Sequence, residues 1–251
     1  MQLNATAAVI TGGASGLGEA TARQFAAQGA QVCLLDRDAT RGAAVAEEIG
    51  GYFIETDVTD ETSVAAAIDS AGAAMGALTA AVNCAGIALG IKTVGRDGPH
   101  PLDAFQRTID INLVGSFNVA RLAAQAMAGN TPDAGGERGV IINTASIAAF
   151  DGQKGQAAYA ASKGGIVGMT LPMARDLAKE RIRVMTIAPG IFGTPMLMGL
   201  PQEVQDSLAA TVPNPPRLGD PTEYARMAAF IVEMGYLNGE VIRLDGALRM
   251  Q

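Results

Sequence analysis

The sequence predicts one α/β domain: a doubly wound, seven-stranded parallel sheet flanked by helices on both faces. Three observations predict it. Short aliphatic runs alternate with longer helical patterns from one end of the 251 residues to the other. The strand runs are nearly continuous in apolar character rather than alternating, as a sheet covered on both faces requires. The composition is 49% hydrophobic with 31 Gly, no Trp and 4% aromatics, which describes a core of small side chains and closely approaching backbones.

Strands are expected over residues 7–11, 31–36, 52–55, 80–83, 140–144, 183–188 and 240–244, each a short aliphatic or β-branched run. Helices fill the gaps over 16–28, 39–49, 61–75, 102–127, 159–178 and 222–234, with Pro172 expected to cost the fifth helix a backbone bond and to kink it. Two stretches break the alternation. Residues 87–101, "IALGIKTVGRDGPHP", form a Gly/Pro-rich insertion after the fourth strand, and residues 189–220 form a Pro- and Met-rich loop, expected to bind substrate, after the sixth. Both follow the carboxyl end of a strand, where open α/β sheets bind ligands.

The formal charge of −7, with no run of Lys or Arg, excludes a phosphate-tracking stripe and so argues against nucleic acid as a partner. No apolar run is long enough to span a bilayer and no targeting leader is recognisable, so a cytoplasmic protein without membrane contact is expected. Cys33 and Cys84 sit in apolar runs with neither metal-ligand nor disulfide spacing, and read as buried free thiols. His100 is the sole histidine, so neither a His-rich metal site nor a Ser-His-Asp triad is available, and no metal is expected.

Between the first strand and first helix, "VITGGASGLGEA" places Gly12, Gly16 and Gly18. The spacing departs from G-x-G-x-x-G, yet the physics is the same: a tight turn, backbone N–H groups that reach a pyrophosphate, and a helix N-terminus facing the anion. Asp36 closes the second strand, 24 positions beyond Gly12, where its carboxylate can accept from both ribose hydroxyls of an adenosine. That charge repels a 2′-phosphate and argues for NAD over NADP, although the adjacent Arg37 is able to pair with such a phosphate. Asp57 and Val58 close the third strand, placed for the adenine edge, and "NCAG", residues 83–86, ends the fourth with a second small-residue loop.

"AAYAASKGG", residues 157–165, sets Tyr159 and Lys163 four apart, on one face of a helix. Ser146 lies thirteen residues before the Tyr, just past the fifth strand. Bulk at Ala160, Ser162 or Gly164 is expected to obstruct a face that must approach its ligands closely.

With these residues in place the whole chain resembles the short-chain dehydrogenase/reductase family. The matching elements are T-G-x-x-x-G-x-G at 11–18, Asp57, N-x-A-G at 83–86, Asn112, Ser146, Y-x-x-x-K at 159–163, and P-G at Pro189 and Gly190. The resemblance implies a Rossmann fold and a catalytic tetrad of Asn112, Ser146, Tyr159 and Lys163. In it Tyr159 exchanges the proton, Lys163 tunes the phenol and binds the nicotinamide ribose, Ser146 holds the reacting oxygen, and the Asn112 backbone carries a water. It also implies cofactor contacts from Gly12, Ser15, Gly16, Leu17, Gly18, Asp36, Asp57, Val58, Asn83, Ala85, Gly86, Tyr159, Lys163, Pro189, Gly190, Ile191 and Thr194.

Longer stretches, among them "IRVMTIAPGIFGTPM" and "LNGEVIRLDGALRMQ", look like one subgroup, the type 2 3-hydroxyacyl-CoA dehydrogenases, and the insertion at 87–101 resembles theirs. This implies NAD-dependent oxidation of (S)-3-hydroxyacyl-CoA, short-chain and 2-methyl-3-hydroxybutyryl-CoA included, in a homotetramer. Phe150, Gln153, Phe192, Met196, Leu197 and Leu200 either line an acyl pocket or pack as core, and Lys92, Arg96 and His100 either face CoA phosphates or are only solvated. Two other readings stand beside this one: an acetoacetyl-CoA or hydroxysteroid/ketosteroid oxidoreductase, and an RNA-processing or scaffold subunit whose dehydrogenase site is incidental.

Overall fold

The computed structural model describes residues 1–96 and 98–250. Seven strands form one sheet in the order β3-β2-β1-β4-β7-β8-β9: β1 (Ala7–Thr11), β2 (Gln31–Asp36), β3 (Tyr52–Glu55), β4 (Ala80–Asn83), β7 (Gly139–Thr144), β8 (Ile182–Pro189) and β9 (Val241–Leu244). Every neighbouring pair is parallel, so all carboxyl ends share one edge. The order reverses between β1 and β4, and the crevice that ligands use in doubly wound sheets opens there.

Both faces are buried, which explains why the strands read as unbroken apolar runs. Val9, Ile141 and Val184 point into one core with Val64 and Ala71 of α3 (Glu61–Met75) and Val119 and Ala123 of α5 (Gly115–Ala128). Their neighbours Ile10, Ile142 and Met185 point into the other, with Ala22 and Phe25 of α1 (Gly16–Ala27) and Tyr224 and Ala228 of α10 (Pro221–Glu233). A large apolar side chain buried this way stabilises by about 1.5–3 kcal/mol, so the two layers lock the sheet between them.

Helix starts follow local chemistry. Asp38 caps α2 (Ala39–Ile49) by accepting from the Arg41 N–H, Asp60 caps α3 through Thr62 and Ser63, and Asp220 forms a reciprocal capping box with Glu223. Gly50 and Gly76 close α2 and α3 in the left-handed conformation.

The structure differs from the sequence reading in four places. The helix expected over 102–127 is α4 (Leu102–Ile109) and α5 joined by a π turn, Asp110–Val114, in which the Gly115 N–H reaches back five residues to the Asp110 carbonyl. The insertion carries a short antiparallel pair, β5 (Val94–Gly95) and β6 (Gly98–Pro99), and is tied to the catalytic side by the Ile91 N–H donating to the Gly155 carbonyl at 2.9 Å. The 189–220 stretch holds two helices, α8 (Pro195–Met198) and α9 (Gln202–Ala210), and is pinned at its ends by a bridge between Phe192 and Gly219. A short helix α6 (Ala148–Asp151) precedes α7 (Ala157–Asp176), and α7 begins two residues early and runs through Pro172.

Candidate active site

The carboxyl edge assembles the site from the ends of six strands, β1, β2, β3, β4, β7 and β8. At β1 the chain turns through Gly12, whose N–H donates to the Leu35 carbonyl at 2.9 Å and whose φ is +64°. A Cβ there would stand 2.9 Å from the Ala85 nitrogen, and one on Gly18 would collide with the Gly12 carbonyl. Only glycine lets α1 and the β4 loop come this close. Ser15, at the N-cap of α1, makes no side-chain bond to the first turn, which leaves its N–H groups to an anion. This cradle, too narrow for a Cβ at Gly12 or Gly18, suits a dinucleotide pyrophosphate. Leu17 is only partly buried in the first turn of α1.

Asp36 ends β2 with one carboxylate oxygen accepting from the Ala14 N–H and the other from the Asp38 N–H, both at 3.0 Å. About two of the four acceptor directions of a carboxylate therefore stay open toward the edge. The adjacent Arg37 turns to Asp57, 3.7 Å away, while the Thr59 hydroxyl and N–H bond the Asp57 carboxylate and hold its pKa below the usual range. Val58 is buried and packs against Gly115.

The β4 end is braced from both sides. The Cys84 and Ala85 N–H groups donate to the Thr11 hydroxyl at 3.1 Å. Asn83 is buried, and its amide donates to the Asn143 side chain at 2.9 Å and to the Ser116 carbonyl at 3.2 Å. A Cβ on Gly86 would lie 3.1 Å from Asn112 Oδ1 and 3.7 Å from Lys163 Nζ, so this glycine is where the second loop meets the chemistry.

Asn112 sits in the π turn, fully buried. Its Oδ1 accepts from the Ile87 N–H (2.8 Å), and its Nδ2 donates to the Ile87 carbonyl (2.9 Å) and to Ser162 Oγ (3.0 Å). Ser162 Oγ in turn donates to the Tyr159 carbonyl at 2.8 Å, so the Asn112 side chain couples the insertion to α7.

On α7, Tyr159 and Lys163 face one another, with Nζ 5.8 Å from the ring centroid. Burial pushes the Tyr159 phenol above its ordinary value, while its hydrogen bond with Ser146 pulls the other way. Lys163 is 5% exposed and burial pushes it down to about 8; its ammonium donates to the Thr144 carbonyl at 2.7 Å. Desolvation drives both groups toward neutrality: it brings Lys163 nearer to neutral pH and moves Tyr159 away from it, so the phenol needs a neighbouring positive charge to act as a base at neutral pH. Ser146 Oγ is held by the Ala148 N–H at 3.1 Å, which aims it at the phenol.

Beyond β8, Pro189 ends the strand, and the Gly190 N–H donates to the Leu244 carbonyl at 2.9 Å. Ile191 is partly buried, and Thr194 caps α8 opposite the first turn, its Cγ2 3.5 Å from where a Gly16 Cβ would stand. The residues expected at the cofactor thus converge on one edge.

The acyl-pocket set is dispersed. Phe150 is half exposed beneath the Arg243 guanidinium, 5.1 Å from the ring centroid; Gln153 and Leu200 are exposed; Leu197 is partly buried. Phe192 is buried in the α10-side core. Met196's side chain lies outside the described residues. Lys92 and Arg96 are exposed, whereas His100 is partly buried beside Phe105, with Nδ1 3.2 Å from the Ile91 carbonyl.

Thr144, Asn143 and Tyr224 were not legible in the sequence, and Ser162 was legible only as a small residue and not as a hydrogen-bond relay. None belongs to a spaced motif, and only Ser162, inside the Tyr–Lys spacing, carried a local signal. Cys33 is a buried free thiol whose pKa burial pushes up to about 12; Cys84 is free but only partly buried. Among the described residues, no helix is long and apolar enough to cross a membrane.

Residues 6–205 match the family model described as short chain dehydrogenase. The chain is 59% identical to 3-hydroxyacyl-CoA dehydrogenase type-2 of Homo sapiens over 248 residues, 97% of this chain and 95% of that protein. Among solved structures it is similar to 3-hydroxyacyl-CoA dehydrogenase type-2 from Mycobacterium avium, with TM-score 0.95 and 46% identity over 99% of this chain and 98% of that one. It is also similar to 3-ketoacyl-(acyl-carrier-protein) reductase from Brucella melitensis complexed with NADH, with TM-score 0.87 and 30% identity over 98% and 99% of the two chains.

Proposed function

We propose, from the premise that the chain belongs to the short-chain dehydrogenase family and is an oxidoreductase, that it oxidises (S)-3-hydroxyacyl-CoA to 3-ketoacyl-CoA with NAD. The observation that carries the reading is the Ser146–Tyr159–Lys163 arrangement at the sheet's carboxyl edge, beside Gly86 of the β4 loop. The acyl-CoA class is supported by the name borne by relatives such as the human protein at 59% identity. NAD is supported by the Asp36 carboxylate, whose open acceptor directions suit ribose hydroxyls and whose charge opposes a 2′-phosphate.

A nicotinamide dinucleotide, when bound, supplies the hydride acceptor. The chain's own residues do the rest. Ser146 holds the substrate hydroxyl oxygen against Tyr159, and the phenolate takes its proton. An ordinary phenol titrates near ~10, so working at neutral pH asks for roughly 4 kcal/mol of preferential phenolate stabilisation. The Lys163 ammonium, buried beside the partly buried ring, contributes to that requirement, and its burial strengthens the attraction. Asn112 fixes the register of the loop at Ile87 and, through Ser162, of the helix that carries both residues.

The reading includes the acyl-binding role of the 189–220 stretch and of Phe150, Gln153, Phe192, Met196, Leu197 and Leu200. It also includes a homotetramer, for which the exposed Val114, Phe117, Leu171 and Phe230 offer apolar surface. Following nicotinamide absorbance with acetoacetyl-CoA, and with a panel of 3-hydroxyacyl-CoAs, tests it with each cofactor separately. The wild type turns over and Tyr159→Phe loses about 10²–10⁴ in kcat/KM while still binding cofactor. Equal rates for the two proteins would remove Tyr159 from the mechanism.

A further inference from the structure

Lys163 does not stand alone in the wall of the site; behind it lies a closed ring of three side chains from three elements. Tyr224, fully buried on α10, has its OH 2.6 Å from Thr144 Oγ1; Thr144 Oγ1 is 3.5 Å from Cys84 Sγ; Cys84 Sγ is 3.7 Å from the Tyr224 OH. Each member can donate once and accept once around the ring, Tyr224 to Thr144, Thr144 to Cys84 and Cys84 to Tyr224, so all three hydroxyl or thiol protons are used. Thr144 is the last residue of β7, and its backbone carbonyl is the acceptor of the Lys163 ammonium. The last β4 residue, Asn83, pairs with Asn143, so β4 offers Thr144 no strand partner on that side. The Ala145 N–H of the same peptide donates to the Ile187 carbonyl of β8 at 2.8 Å, so β8 holds this peptide from one side and the ring braces the Thr144 side chain on the other.

We infer that Tyr224 is a positioning residue for the proposed reaction: through Thr144 it holds the carbonyl that places the Lys163 ammonium beside Tyr159. The inference rests on the dehydrogenase reading above. It also gives α10 a part in the chemistry that no motif announces. Tyr224 lies four residues after the Asp220 cap, directly behind the 189–220 stretch. The alternative, that Tyr224 only fills the α10-side core, predicts that its hydroxyl is dispensable once the ring is kept. Burial of an unpaired hydroxyl is costly, and here the structure uses a pair to orient a backbone group instead.

The titratable groups facing Lys163 are Tyr159 from α7 and Cys84 from the end of β4, with Tyr224 of α10 one bond further out. Loosening the Thr144 carbonyl weakens the ammonium's hold, raises the phenol's pKa and moves the acid limb of NAD-linked oxidation toward alkaline pH.

The test is the pH profile of kcat/KM for wild type, Tyr224→Phe, Thr144→Val and Thr144→Ser, with thermal melting alongside. One buried hydrogen bond corresponds to a shift of about half to one pH unit, read as a three- to tenfold loss below the limb, in Tyr224→Phe and Thr144→Val. Thr144→Ser, which restores the hydroxyl, brings the limb back. A folded Tyr224→Phe with the wild-type limb overturns the inference. Should Tyr224→Phe not fold, the Thr144→Val and Thr144→Ser pair decides alone: a limb identical in the two overturns it. Absence of turnover in the wild type would instead strike the functional reading, and is distinguishable for that reason.

Discussion

Lys163 is placed where its charge is needed by the proposed chemistry and costly to the fold, and the cost can be measured. Burial lowers it from 10.5 to about 8. At pH values below about 8 the side chain is protonated in both folded and unfolded states, and the folded state carries the full desolvation penalty. Between about 8 and 10.5 the folded state releases its proton while the unfolded state keeps it, so the unfolded state binds more protons and stability rises with pH, by about 1.4 kcal/mol per unit. Above 10.5 both are neutral and the penalty is gone. Over that window the relief sums to about 3 kcal/mol. Replacing Lys163 with Met removes the titration while keeping most of the volume. Urea unfolding of wild type and Lys163→Met across pH 7 to 11 isolates the difference from every group remote from position 163, leaving Lys163 and the neighbours coupled to it, Tyr159 and Cys84. The wild type gains on the variant by about 3 kcal/mol between pH 8 and 10.5, and kcat falls severely in the variant at every pH. A stability difference independent of pH would mean that Lys163 is not desolvated in the folded state, and the account of how it tunes Tyr159 would fall with it.

Two further outcomes follow from positions elsewhere at the site. Asp36→Ala opens the end of β2 to a 2′-phosphate and removes a ribose acceptor, so NAD affinity falls by about tenfold, NADP affinity rises, and titrations of cofactor fluorescence read both. The small residues of α7 divide sharply: a Cβ on Gly164 meets nothing within 4 Å, whereas one on Gly165 would lie 2.6 Å from Leu113 Cδ2. Gly164→Ala therefore stabilises the helix by roughly 0.5–1 kcal/mol and Gly165→Ala destabilises the protein, both read as shifts in the unfolding midpoint. Within the chain the close approach is at Gly165, the position that turns toward the π turn where Leu113 sits.

The features legible in the order of residues are local in origin. Unbroken apolar runs dictated a parallel sheet covered on both faces, since a one-sided sheet would alternate. The Gly12–Gly18 turn announced a cradle closed to a Cβ at Gly12 and Gly18, and the four-residue spacing of Tyr159 and Lys163 placed both on one helix face. Asp36 was legible because a strand end fixes where its carboxylate points. The π turn at Asp110–Val114 was not, because the helical pattern on both sides is unbroken and the extra residue is stabilised by contacts from Ile87, Ser162 and Ser116, distant in sequence or a full turn away. Nor was the ring of Thr144, Cys84 and Tyr224, in which partners 60 and 80 residues apart meet. Only the tertiary structure decided those, because hydrogen-bonded partners from separate elements leave no periodicity in the chain: their geometry exists once β4, β7 and α10 have been packed together and not before.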